Sequence, residues 1–157
     1  QMDYILVELH TDMVHVERTR QGISLPYRRY VSGPESIVTP AARLILATVH
    51  AATSHLFGRL QYVVDGLMAV RAGVDASELR ERGREAGALL PLRTMLRLAA
   101  SIFSSQEAAT LLRALPETRG SWLEPRLISE DMVLAAKSRN RWRLIPQRRL
   151  YRAMLRW

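Results

Sequence analysis

Two side chains near the start of the chain have the types and spacing to bind a metal ion and a phosphate. Glu8 and His10 lie in residues 4–11, whose β-branched and aromatic content predicts a strand. Side chains alternate along a strand, so the two share one face, roughly 6 to 7 Å apart. As candidate catalytic residues, Glu8 could ligate Mg²⁺ and His10 could donate to a phosphate. The alternative is a strand face that meets solvent.

Two further histidines, His50 and His55, lie five residues apart in a predicted helix. An α-helix rotates side chains at that spacing by about 140°, so we expect the two rings to face different neighbours and not to share a metal ion. They are candidate pocket or supporting residues, with His50 facing the strand and His55 capping a neighbouring element. The alternative is that each is an ordinary core or boundary histidine.

Asp65 interrupts an apolar helical stretch between Val64 and Gly66. A carboxylate buried there without a partner costs several kcal/mol, so we expect Asp65 to be paired with Arg59, His55 or a histidine across the bundle. It is a third candidate pocket or supporting residue. The alternative is that it lies on a solvated helix face.

Arginine dominates the end of the chain, where residues 139–157 contain seven arginines among three aromatic residues. Such a segment could bind RNA or another anionic surface by phosphate contacts and stacking. Alternatively, residues 146–157 form a basic amphipathic helix that packs Leu150, Met154 and Leu155 onto the bundle. The candidate contacts to nucleic acid or another anion are Arg139, Arg141, Arg143, Arg148 and Arg149.

The composition limits the possible functions. Without cysteine, the 157-residue chain has no disulfide, thiolate nucleophile or iron–sulfur cluster, which fits a cytoplasmic protein. No apolar stretch is long enough to span a membrane, so we expect a soluble protein. The net charge is +8, and the positively charged residues are almost all arginine, which favours an anionic partner. The alternative is that a GC-rich genome explains the arginine usage. The P-loop, GxGxxG, HExxH and nucleophile-elbow motifs are absent.

The elements that position these residues are mainly helices. Thr39-Pro40 predicts the first helix start, and helical apolar spacing continues to Gly73 with a break near Gly58. Further starts are predicted at Asp75, where Glu78 completes a capping box, at Pro91, after Ser105 and at Ser129. The predicted class is α+β, mainly α, with one or two N-terminal strands before a bundle of about five helices. The predicted divisions are a strand-containing segment over 1–38, a helical bundle over 39–115 and a basic extension over 116–157.

Three of these stretches together resemble the C-terminal portion of the uncharacterised nucleotidyltransferase family of the polymerase β-like superfamily. The resemblance covers roughly residues 4–115. Its motifs are Val7-Glu8-Leu9-His10, the Leu46 to Asp65 stretch that contains His50, His55 and Leu60, and Val74-Asp75 followed by the Leu79 and Pro91 to Phe103 helices.

The resemblance implies a metal site completed by a third carboxylate, for which Glu8 is the candidate, with His10 beside it. It also implies Mg²⁺ and a nucleoside triphosphate as cofactors. The chain departs from the family because a Gly-Ser or Gly-Gly motif followed by Asp-x-Asp does not occur in it. We therefore expect a fragment that is not competent alone and that needs a missing N-terminal half or a partner chain.

Three hypotheses follow from the sequence. The first is the C-terminal part of a nucleotidyltransferase-like protein, which transfers a nucleotidyl group from a nucleoside triphosphate to an unknown acceptor through metal ions. The second is a non-enzymatic helical module that contacts nucleic acid or an acidic protein through its arginines. The third is a purely structural scaffold in which Glu8 and His10 meet water.

Overall fold

The described part of the chain is mainly helical, as predicted. A computed structural model describes residues 31–32, 37–134 and 145–155. The predicted strand at 4–11 lies outside these residues. None of the helices in the described ranges has the length and apolar character needed to cross a bilayer.

The described elements comprise one short strand pair and a series of helices. Strands β1 and β2 are antiparallel, with Val31 opposite Val38. In chain order the elements are β1 (Val31–Ser32), β2 (Ile37–Val38), α1 (Pro40–His50), a π-helical segment (Ala51–His55), α2 (Leu60–Arg71), α3 (Ala76–Glu85), α4 (Leu89–Phe103), α5 (Gln106–Ala114), α6 (Glu124–Leu127), α7 (Glu130–Leu134) and α8 (Ile145–Met154).

Three of the predicted helix starts are confirmed by side-chain caps. In each, a side-chain oxygen accepts a hydrogen bond from a backbone N–H of the first turn, which would otherwise lack a partner. The pairs are Thr39 with Ala42 at 3.2 Å for α1, Asp75 with Glu78 at 2.8 Å for α3, and Ser105 with Ala108 at 3.2 Å for α5.

One helix start differs from the prediction. Helix α4 begins at Leu89, two residues before Pro91. Proline is accepted there because the first-turn N–H groups have no partner within the helix. Among the described residues, the capping box is formed only on its Asp75 side. The Glu78 carboxylate instead pairs with Arg82 and accepts a 2.9 Å hydrogen bond from Thr39, which links the starts of α1 and α3.

Helices α1, α2 and α4 form the centre of the fold. Helix α1 packs on α2 and α4, and α4 continues the core to α5. Helices α2 and α4 approach closely at Gly66, where a Cβ atom would lie 2.4 Å from the sulfur of the fully buried Met95. Only glycine fits between them without a shift.

Candidate anion-binding cleft

The end of α1 departs from regular α-helical geometry. Residues Ala51–His55 form one turn of π-helix, and the next two residues, Leu56 and Phe57, have left-handed backbones with φ of 51° and 53°. Left-handed geometry costs a residue with a Cβ atom roughly 1 to 2 kcal/mol. Both side chains are buried, and that burial offsets the strain. Single π-helical turns recur at functional sites, and this one lies among the candidate residues.

The π-helical turn brings three rings together. His50 and His55 have ring centroids 4.9 Å apart, and His55 stacks on Tyr62 of α2 at 4.4 Å with an interplanar angle of 14°. The expectation that the two histidines face different neighbours is therefore wrong. It assumed 100° per residue, whereas the wider π-helical turn places residues five apart on the same side.

The environment favours neutral imidazoles in both histidines. Burial lowers the pKa of His50, and the neighbouring His55 lowers it further, while Asp65 opposes both effects. Burial also lowers the pKa of His55, with a second contribution from the positive charge of Arg59. Each ring can then both donate and accept a hydrogen bond at neutral pH.

The hydrogen-bond partner of Asp65 is Gln61, which the sequence did not predict. Its Oδ1 accepts a 2.9 Å hydrogen bond from Nε2 of Gln61, one turn earlier on α2. Asp65 is half-buried and also favours the charged form of His50 electrostatically. It therefore supports the histidine cluster from the side of α2.

A cleft lies where the π-helical segment meets α8. Its volume is about 260 Å³. We call it the arginine cleft, and its lining residues are Ser54, His55, Leu56, Ile145, Arg148, Arg149 and Arg152. Three guanidinium groups and one imidazole thus line it, and none of the described lining residues carries a carboxylate. In the described ranges, none of the three arginines forms an ion pair, so the cleft is an electropositive concavity.

Arg148 is the most buried of the three arginines in the cleft. Its Nε is buried and finds no hydrogen-bond partner among the described residues. A Cβ atom on Gly58 would lie 3.2 Å from Nη2 of Arg148 and 3.0 Å from the carbonyl oxygen of His55. Because Gly58 has no side chain, the guanidinium group of Arg148 can lie close to the backbone at this position.

Helix α8 is held against the bundle by Tyr151. This side chain is fully buried, and its hydroxyl lies 2.9 Å from Oγ1 of Thr94 on α4. Its ring also meets Phe57 edge to face at 6.3 Å. Burial raises the pKa of Tyr151 far above its usual range, so the hydroxyl stays neutral and can donate. Helix α8 thus packs onto the bundle as predicted through Met154 and Leu155, but Tyr151 takes the place of Leu150, which is 45% exposed.

The predicted site residues are brought together only in part. The structure clusters His50, His55 and Asp65, and it places Arg148 and Arg149 in the cleft beside His55. In the described ranges, no three histidine, aspartate or glutamate side chains are grouped as metal ligands would be. Five predicted residues lie outside the described ranges, namely Glu8, His10, Arg139, Arg141 and Arg143.

Among the site residues that the sequence did not predict, Arg152 and Tyr62 contribute most directly to its charge and ring geometry. Arg152 follows Arg148 by one helical turn and therefore lies on the same helix face. The helical spacing in the sequence could have predicted this. Tyr62 lies seven residues after His55, across an irregular turn, and no pattern in the sequence predicts their stacking.

No protein-family model matches the chain, and no curated protein or solved structure matches it significantly.

Proposed function

We propose that this helical bundle binds a phosphate-bearing ligand in the arginine cleft, as the helical part of a nucleotidyltransferase-like protein. The observation that carries the proposal is the convergence of Arg148, Arg149 and Arg152 with His55 on a cleft whose described lining residues include no carboxylate. Positive charges gathered without a described counter-charge repel one another, and an anionic ligand relieves that repulsion.

Phosphate suits this donor set. A guanidinium group presents its N–H donors in a planar fork that matches two phosphate oxygens at once, and it is weakly hydrated. Arg148, Arg149 and Arg152 would hold the phosphate, and the His55 imidazole would offer one more hydrogen bond. Phosphate binding also accords with the net charge of +8.

Two sources of phosphate share this chemistry. A nucleoside triphosphate is the ligand that the nucleotidyltransferase resemblance implies, with Glu8 as the candidate Mg²⁺ ligand. A nucleic-acid backbone is the ligand of the alternative, a non-enzymatic binding module. An acidic protein remains a prediction from the sequence, and the planar fork favours phosphate over it.

Calorimetric titration tests the proposal. The chain is titrated with ATP, with and without Mg²⁺, and with a single-stranded RNA of about ten nucleotides. The triple variant R148Q/R149Q/R152Q is expected to bind its ligand about tenfold or more weakly, because even one charge-assisted hydrogen bond is worth about 1.5 kcal/mol.

A matched control separates the cleft from net charge. The variant R80Q/R84Q/R113Q removes the same three charges at exposed positions on α3 and α5. Equal weakening in both triple variants would contradict a specific cleft. Binding of ATP alone supports the nucleotidyltransferase-like role, binding of RNA alone supports the binding module, and binding of neither overturns the proposal.

A further inference from the structure

We infer that the arginine cleft recognises a terminal phosphate, a phosphomonoester at the end of a nucleotide or RNA chain, in preference to an internal phosphodiester. The inference rests on the proposed function and narrows its ligand. It is drawn from the size of the cleft, the number of its donors and their charge.

Size is the first argument. At about 260 Å³, the cleft is somewhat smaller than the roughly 300 to 1,000 Å³ of typical small-ligand pockets. It has room for a phosphate group and part of one sugar. An internal diester needs space for a nucleotide on each side, whereas a terminal phosphate enters from one side.

The number of donors is the second argument. A phosphomonoester has three terminal oxygens, and the cleft offers three guanidinium groups from Arg148, Arg149 and Arg152. Two of these are exposed at the rim, while Arg148 is half-buried with its Nε lacking a described partner. A diester has only two non-bridging oxygens, so it offers the three guanidinium groups fewer hydrogen-bond acceptor sites.

Charge is the third argument. A phosphomonoester carries about −1.5 to −2 at neutral pH, and a diester carries one negative charge. Three guanidinium groups are always protonated, so a monoester neutralises about twice as much of their charge as a diester does. Added to this, the imidazole of His55, held in place by stacking on Tyr62, lies on the wall of the same cleft.

The test compares one RNA in two forms. A ten-nucleotide RNA with a 5′-phosphate is expected to bind about tenfold or more tightly than the same RNA with a 5′-hydroxyl. The reason is that the terminal phosphate adds charged hydrogen bonds to the cleft arginines. A second pair compares the monoester 5′-AMP with the diester 3′,5′-cyclic AMP, which contain the same nucleoside. The preference is expected to disappear in R148Q/R149Q/R152Q and to persist in R80Q/R84Q/R113Q.

Each outcome decides between the two claims. Equal binding of both RNA forms, still lost in the cleft variant, overturns the preference for a terminal phosphate and leaves the proposed function standing. Failure of every ligand to bind overturns both. If the triple variant unfolds, the exposed pair R149Q/R152Q replaces it, because these two side chains take no part in the described packing of α8. A circular dichroism melt checks the fold of each variant.

Discussion

His50 and His55 make the stability of the fold depend on pH, because their pKa values are lower in the folded chain than the ordinary value of 6.5. As pH falls below 6.5, the unfolded chain takes up protons at these positions before the folded chain does. Protonation therefore favours the unfolded state, and the free energy of unfolding decreases as pH falls through the window that starts at 6.5.

We expect the melting temperature to drop between pH 7.5 and pH 5.5, a range that lies above the ordinary pKa values of carboxylates. The double variant H50Q/H55Q is expected to show a smaller drop. The remaining histidines, His10 and His15, are present in both proteins and cancel in the comparison. An identical drop in both proteins would show that protonation of His50 and His55 does not lower the stability of the fold.

The buried hydroxyl of Tyr151 gives a second prediction for single residues. Oγ1 of Thr94 donates to the Leu90 carbonyl oxygen at 3.1 Å, so the Tyr151 hydroxyl is the donor in its bond with Thr94. T94V leaves that donor buried and unpaired, at a cost of about 1 to 3 kcal/mol, whereas Y151F removes the donor itself and costs about 1 kcal/mol. Urea denaturation measures both.

A double-variant control checks this asymmetry. The T94V/Y151F protein is expected to be about as stable as Y151F alone, because it contains no unpaired donor. If T94V proves milder than Y151F, the Tyr151 hydroxyl has found another partner, and the proposed anchoring of α8 through Thr94 is wrong.

At the level of elements, the short helix α6 is attached to α4 by one ion pair. Arg97 donates to both carboxylate oxygens of Glu124, through Nε at 3.1 Å and Nη2 at 2.7 Å, and also to the carbonyl oxygen of Ile128. Glu124 is 3% exposed, which is rare for a carboxylate. The pair therefore fixes the position of the helix on which α8 packs.

Removing one partner of this pair is expected to be costly. R97M leaves the Glu124 carboxylate buried and unpaired, and we expect it to lower the free energy of unfolding by about 3 to 5 kcal/mol. The double variant R97M/E124L is expected to recover much of that loss, because it buries no charge. Chemical denaturation distinguishes the two, and a double variant less stable than R97M would contradict the account.

For the whole molecule, the positive charge predicts a salt-dependent affinity for nucleic acid. The logarithm of the binding constant for single-stranded RNA falls with the logarithm of salt concentration, by about 0.7 per neutralised phosphate. Because the three cleft arginines converge on one phosphate, removing them is expected to make the slope less steep by about 0.7. Titrations at several salt concentrations measure it, and an unchanged slope would show that RNA contacts other arginines.

The sequence predicted the helices better than the site, for physical reasons. The caps at Thr39, Asp75 and Ser105 join residues that are three apart in the sequence. The local sequence is therefore enough to predict them. The π-helical turn is not local in this sense, because it depends on burying Leu56 and Phe57 against the rest of the bundle. Placing His50 beside His55 therefore required the tertiary structure.

The end of α8 illustrates the same limit. Periodicity correctly predicted a basic amphipathic helix, but it assigned the packing contacts to Leu150, Met154 and Leu155. The structure buries Tyr151 completely and leaves Leu150 partly exposed. A tyrosine can be buried because Thr94 accepts a hydrogen bond from its hydroxyl group, and that partner lies 57 residues away in sequence.

The π-helical turn makes the pairing of His50 and His55 depend on the length of the chain as well as on their side chains. A π-helical turn contains one more residue than the α-helical turn it replaces, so it accommodates the five-residue spacing of His50 and His55 on one side of the helix. In a regular α-helix, side chains five residues apart differ in direction by about 140°, whereas side chains four residues apart differ by about 40°. Deleting one residue between the two histidines would therefore let a regular α-helix keep both rings on one face, whereas the present chain length requires the π-helical turn to do so.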